Sequence, residues 1–250
     1  RGRGLPGCGR GVTVPTSMLE APRLHGAPPR PAQSDMTLPA AIDPIHFFHA
    51  KRLEQEHRHE KYNESPYSLE PNLKESPGGM RDLHVIRWVA RAIGLGHRWE
   101  DLANRGLVTR EEALQLRRVE RFIQLARIQL HLLAGRREDR ILFDHQGELA
   151  GKLKFAQATH RRASEVLMQH YYRNAKTITQ LNTIVLQNIG ALLQPIDVAP
   201  TVLDDNFQSV HNLLDARDPT IFTRSPSTIF DSFLLLQKHS ELKGMTAPTL

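Results

Sequence analysis

The sequence predicts a mainly α protein, a helical bundle, on three observations. Apolar residues recur at alternating spacings of three and four over one window, Leu116 to Leu133. That pattern draws one continuous stripe along a helix. A second long window, about Ala163 to Leu193, carries Leu167, Tyr171, Ile178, Leu181, Val185 and Leu192 on one face. Two such helices are expected to pack together. Finally, Thr109 and Glu112 stand three apart at the head of the first window, where a capping box lets each side chain satisfy an orphan backbone N–H.

Taken in order, the chain opens with a different kind of sequence. Residues 1–40 hold seven prolines, six glycines and no Phe, Tyr or Trp. Such a segment buries too little apolar surface to offset its ordering entropy. Residues 1–42 are therefore expected to be disordered or foreign to the domain. Asp43-Pro44 is a good helix start, with Asp at the cap and Pro at the first helical position. That helix should run to about Tyr62 and is very polar after Phe48. Pro66, Pro71, Pro77, Gly78 and Gly79 then break any helix, leaving a short strand at Tyr67 to Glu70 and loop around it. From Met80 or Arg81 the helical period resumes. Asn206 to Leu214 reads as a short extended segment, and Ser225-Pro226 starts a last helix carrying Ile229, Phe230, Phe233, Leu234 and Leu236.

Composition narrows the function classes. The 250 residues are 40% hydrophobic and 24% charged, enough to build a core in a water-soluble domain. The single cysteine, Cys8, allows no intrachain disulfide and suits the cytoplasm. No apolar run of about 18 residues offers a membrane span. The net charge of +6 invites a nucleic-acid reading. Most of the basic residues alternate with acidic ones on predicted helices, however, as in Arg117-Arg118-Val119-Glu120-Arg121, which marks solvated helix faces. Nucleic acid is therefore not the expected partner.

The segment richest in chemistry is Tyr67 to Asp82. It groups Glu70, Lys74, Glu75, Arg81 and Asp82 around Pro77-Gly78-Gly79. Two adjacent glycines allow close approach of backbone N–H groups to a ligand. Free N–H groups at the following helix start, near Lys74 and Arg81, favour an anion such as phosphate. A carboxylate such as Glu70 suits a magnesium ion that carries triphosphate oxygens. The residues alone equally fit an ordinary turn with Asp82 as helix cap. A second charged loop, Gly135 to Gln146, reads either as a basic loop facing a nucleotide or as a helix end with Asp144 capping the next helix. His57 and His59 sit two apart on a helix, poor geometry for sharing a metal, and no His-Glu-x-x-His or His-Asp pair is present.

The run Ser68-Leu-Glu-Pro-Asn-Leu-Lys-Glu-Ser-Pro-Gly-Gly-Met-Arg-Asp-Leu-His84 resembles a signature of the bacterial PII uridylyltransferase/uridylyl-removing family. The likeness extends through Phe47 to His59, Ile86 to Arg91, Leu130 to Asp144, Asp205 to Gln208 and Phe222 to Phe230, so it covers residues 43–245. It implies a fragment of an enzyme that moves UMP from UTP to a tyrosine of the PII signalling protein, with Mg2+ as the metal. The polymerase-β-like superfamily places a Gly-Ser turn, an Asp-x-Asp pair and a third carboxylate at its metals. This sequence contains no Gly-Ser and no Asp-x-Asp. The resemblance thus implies that residues 43–82 are the C-terminal part of an α/β nucleotidyltransferase domain and residues 83–245 the helical domain after it. On that alignment Glu70 is the third carboxylate and Mg ligand. Lys74, Gly78, Gly79 and Arg81 border the triphosphate, and Asp82 caps the helix. Arg136, Arg137 and Asp139 match a family motif. The chain alone is then expected to be inactive. The competing reading is a helical module that binds PII or nucleotide without catalysis.

Overall fold

The computed structural model describes Thr16 and residues 42–157, 160–193, 199–218, 220–246 and 248–249. Apart from Thr16 and Ile42, the segment expected to be disordered or foreign, Cys8 included, lies outside the described residues. Eight helices and one small sheet are found among the described residues, in agreement with the mainly α expectation. The chain forms two compact units, residues 1–182 and 183–250.

In the first unit, helix α1 spans Pro44–Lys61. Its start follows the sequence reading: the Asp43 carboxylate accepts the N–H groups of Ile45 and His46 at 3.0 and 3.2 Å. Helix α2 spans Met80–Ala92 and buries Leu83, Val85, Ile86 and Val89. A short helix, α3, covers Trp99–Asn104. Helix α4, Arg110–Ala134, opens with the anticipated capping box. Glu112 N–H donates to Thr109 Oγ1 at 3.1 Å, and Thr109 N–H donates to Glu112 Oε2 at 2.7 Å. Its predicted stripe is buried at Leu116, Val119, Ile123, Ala126 and Leu130. Gly135, at φ 61°, ends it in the left-handed conformation that glycine adopts without strain.

Helix α5 spans Phe143–Lys152, and α6 spans Ala163–Leu193. Helices α4 and α6 meet as expected. Gln115 Nε2 lies 3.5 Å from Thr177 Oγ1, and the Phe122 ring stands edge-on to His170 at 4.6 Å.

The second unit holds an antiparallel sheet in the order β1 (Thr201–Val202), β2 (Phe207–Val210), β3 (Leu213–Ala216). The extended segment expected over Asn206 to Leu214 is in fact a hairpin. His211 and Asn212 both take positive φ, 53° and 61°, which gives a two-residue turn whose twist matches the flanking strands. Helices α7 (Ile221–Arg224) and α8 (Thr228–Lys238) follow. The core here is Phe207, Leu214, Ala216, Ile221 and Leu242. On α8, Phe230 and Phe233 remain 73% and 59% exposed, so that helix buries less of its apolar surface than its sequence suggests.

Candidate functional site

The two segments that stood out in the sequence lie side by side in the first unit. Leu73 N–H donates to the Asp139 carbonyl at 2.7 Å, and Ile141 N–H donates to the Pro71 carbonyl at 2.9 Å. The expected strand at Tyr67 to Glu70 does not form. Pro66 and Pro71 bracket it, and the pairing found here among the described residues is the bridge of Asn72 with Arg140. Asn72 organises the turn that follows. Its Oδ1 accepts the N–H groups of Lys74 and Glu75 at 3.0 and 2.8 Å, while Ser76 Oγ accepts Asn72 N–H at 2.9 Å.

Asp82 sits in the first turn of α2 with no exposed side-chain surface. Its Oδ2 accepts Gly78 N–H at 2.8 Å, so it does bond back into the turn. Its Oδ1 takes three further partners from α1: Gln55 Nε2 at 2.8 Å, Arg58 Nη2 at 2.7 Å and His59 Nε2 at 2.9 Å. Gln55 also donates to Asn182 Oδ1 on α6, and Asn182 Nδ2 returns to the Asp82 carbonyl at 3.0 Å. Burial alone would raise the Asp82 carboxyl. The hydrogen bond from His59 and the Arg58 charge outweigh it and hold the group below the usual carboxylate range. This closed network joins α1, α2 and α6.

The two glycines serve the same junction. A Cβ on Gly78 would fall 2.4 Å from the Ala175 carbonyl oxygen of α6, and φ is +74° there. A Cβ on Gly79 would meet the Ser76 carbonyl oxygen at 2.8 Å. The backbone that approaches Gly78 so closely is a helix of this chain. The free N–H groups expected at the start of α2 are not free. Those of Gly79, Met80, Arg81 and Asp82 donate to the carbonyls of Ser76, Leu73, Lys74 and Gly79 respectively, at 2.8 to 3.2 Å. The Asn72 turn folds its own carbonyls onto the helix end, which is why the donors are consumed.

The expected phosphate-facing cations also have partners. Lys74 Nζ and Arg81 Nη2 each lie 3.2 Å from Glu75 Oε1, and Arg81 stacks 5.3 Å from the Trp88 ring centre. Burial would raise Glu75, but Arg81 and Lys74 more than reverse this and lower its pKa. Glu70 accepts the N–H of Phe143, the first residue of α5, at 2.9 Å. Glu70, and not Asp144, is thus the carboxylate that caps that helix. Among the described residues no group of three His, Cys, Asp or Glu side chains could hold a metal.

Asp139 is a second hub. It receives Arg127 Nε at 2.8 Å and His131 Nε2 at 3.1 Å. Burial raises its carboxyl, and these two partners lower it further than burial lifts it. Arg127 also reaches Met80 Sδ at 3.2 Å, which ties the second charged loop to the start of α2. Arg136 pairs with the neighbouring Glu138 at 2.9 Å.

Sequence reading missed Gln55, Arg58, His59 and Asn182. The signal was present: Gln55, Arg58 and His59 are spaced to share one face of α1. Hydrophobic periodicity does not register a buried face made of polar groups. It also missed a groove of about 430 Å3 in which Tyr67 and Tyr172 meet Arg173 and Lys176 of α6.

A mainly α module, locked through a buried carboxylate and presenting a charged Pro-Gly-Gly turn, is the class that fold and site define. Comparison with known proteins agrees with the motifs. Residues 46–186 match the GlnD PII-uridylyltransferase family, and residues 207–250 match the third domain of uridylyltransferase GlnD. The chain belongs to the GlnD PII-uridylyltransferase family. It is 52% identical to the bifunctional uridylyltransferase/uridylyl-removing enzyme of Aromatoleum aromaticum, over 96% of this chain and 28% of that protein. The enzyme of that name in Bordetella parapertussis is 48% identical, and that in Thiobacillus denitrificans 45%, with the same coverage. The chain thus spans under a third of the length of these relatives. The match takes in 96% of the chain, so it reaches into residues 1–42, which composition sets apart. No solved structure matches. No described helix is long and apolar enough to cross a membrane.

Proposed function

We propose that this chain is part of an enzyme that transfers UMP from UTP to a tyrosine of the PII nitrogen-regulatory protein in the cytoplasm. One observation carries the reading: 52% identity over 96% of the chain to a bifunctional uridylyltransferase/uridylyl-removing enzyme, beside the resemblance of the Ser68 to His84 run to the family signature. In this reading Lys74 and Arg81 border the triphosphate, while Gly78 and Gly79 let the turn that carries them close against α6 and its own carbonyls. The phosphates compete with Glu75 for Lys74 and Arg81. Glu70 contributes one carboxylate towards Mg2+ and leaves the N–H of Phe143 to do so. The other metal ligands come from the remainder of the longer protein, since the residues described do not assemble them. The chain by itself transfers no UMP.

The test is a chimaera in which residues 43–245 replace the equivalent stretch of the Aromatoleum aromaticum relative. The expected result is UTP-dependent labelling of PII. A folded chimaera without labelling would overturn the proposal. The alternative, a helical module that binds PII or nucleotide without catalysis, is favoured by the internal pairing of Lys74 and Arg81 with Glu75. It predicts labelling that survives Glu70→Gln in the chimaera.

A further inference from the structure

The cations that sequence reading assigned to phosphate are paired within the turn, whereas two others nearby are not. Arg173 and Lys176 are exposed, one turn apart on α6. Neither has an ion-pair partner among the described residues. They line the groove of about 430 Å3 together with Tyr67, Met168 and Tyr172. Its floor is apolar. The Tyr67 and Tyr172 rings stand 5.8 Å apart at 60°, forming an aromatic corner. Tyr67 is 55% exposed, while Tyr172 is fixed by its hydroxyl donating to the Ser68 carbonyl at 3.0 Å. That bond anchors the corner two residues from Glu70. One acidic residue, Glu165, stands at the rim. Its carboxylate accepts Arg162 N–H at 3.3 Å at the start of α6, where the helix dipole offsets its charge.

An exposed aromatic ring over an apolar floor, beside two cations without an ion-pair partner, calls for a ligand with a planar ring at one end and concentrated negative charge at the other. Aromatic side chains stack on any nucleobase, and arginine and lysine suit phosphate oxygens. The volume lies within the range of small-molecule pockets, about 300–1,000 Å3. We propose that this groove binds a nucleoside triphosphate, with the base against Tyr67 and Tyr172 and the phosphates on Arg173 and Lys176. The inference rests on the proposed UTP-dependent function and gives the nucleotide a second set of contacts beside the Pro-Gly-Gly turn.

Calorimetry on the 250-residue chain tests it, with UTP, uridine and inorganic triphosphate as titrants. UTP is expected to bind at least tenfold more tightly than either part alone. Joint reversal, Arg173→Glu with Lys176→Glu, should weaken UTP at least tenfold. Tyr67→Ala should weaken it several-fold, and Tyr67→Phe should leave it unchanged. These side chains are exposed, so the fold should persist, and circular dichroism checks that. Inorganic triphosphate binding as tightly as UTP would reduce the groove to an anion patch and overturn the inference. So would UTP binding that ignores these variants but is lost in Lys74→Ala, a result that leaves the proposed function standing. Absence of UTP binding to the unaltered chain would also overturn it. The chimaera's labelling of PII then decides the function independently.

Discussion

Arg58 Nη2 lies 2.7 Å from Asp82 Oδ1, with only 8% and 0% of the two side chains exposed. A pair this buried depends on its geometry, because removing one partner strands the other charge. Asp82→Ala should therefore destabilise the chain by about 3–5 kcal/mol. Asp82→Asn keeps the shape and should lose less. Urea unfolding measures both. Wild-type stability in Asp82→Ala would show that the network is dispensable.

The same carboxylate sets an acid limit. Its folded pKa is below its unfolded value, near 3.9. Its contribution is thus complete above that unfolded value. It is lost as pH falls through the lower folded value. Stability measured from pH 5 downwards should fall less steeply in Asp82→Asn than in wild type.

His84 acts in the same direction, at higher pH. Burial, followed by the charges of Arg81, Arg87, Arg127 and Lys74, lowers its pKa to about 4. The unfolded histidine takes a proton near pH 6.5, and the folded one does not until about pH 4. The unfolded state binds more protons between those values, so stability should decline as pH drops from 6.5 towards 4. The loss from this group is at most about 3 kcal/mol, less in proportion to its partial exposure. His84→Gln should flatten that part of the profile. An unchanged slope would remove His84 as its source.

Gly78 and Gly94 share nearly the same positive φ, 74° and 73°, but only Gly78 is crowded. Gly94→Ala should cost about 1 kcal/mol, the backbone term alone. Gly78→Ala adds a clash with the Ala175 carbonyl and should exceed it by at least about 1–3 kcal/mol. Equal losses in thermal unfolding would mean that α6 shifts freely.

Glu70 has two roles to separate. As the cap of α5, Glu70→Ala should cost about 1 kcal/mol in the chain, and Glu70→Gln a few tenths. As a metal ligand in the chimaera, Glu70→Gln should abolish transfer despite that small loss. Transfer that persists would leave Glu70 with the structural role only.

Much of the fold was legible. Asp43-Pro44, the Thr109 and Glu112 box, and the stripe from Leu116 to Leu130 each rest on interactions within a few residues, which local sequence specifies. The strand at Tyr67 to Glu70 was not, because strand formation needs a partner, and the partner segment, Asp139 to Ile141, docks on Pro71 and Leu73 instead. Asp144 as a cap failed for the same reason: Glu70, far away in sequence, supplies the oxygen.

By itself the sequence determined the long helices, the caps at Asp43 and Thr109, and the family, since hydrophobic period and motif order are properties of the chain read along its length. Only the tertiary structure decided what the charged residues do. Gln55, Arg58 and His59 look like a solvated helix face until Asp82 is folded against them, and Gly78 looks like a ligand cradle until α6 occupies that space. Lys74 and Arg81 look available until Glu75 is seen between them, whereas Arg173 and Lys176 remain uncompensated. A charge's pairing is set by distance in space, and that distance is fixed only once the helices have packed.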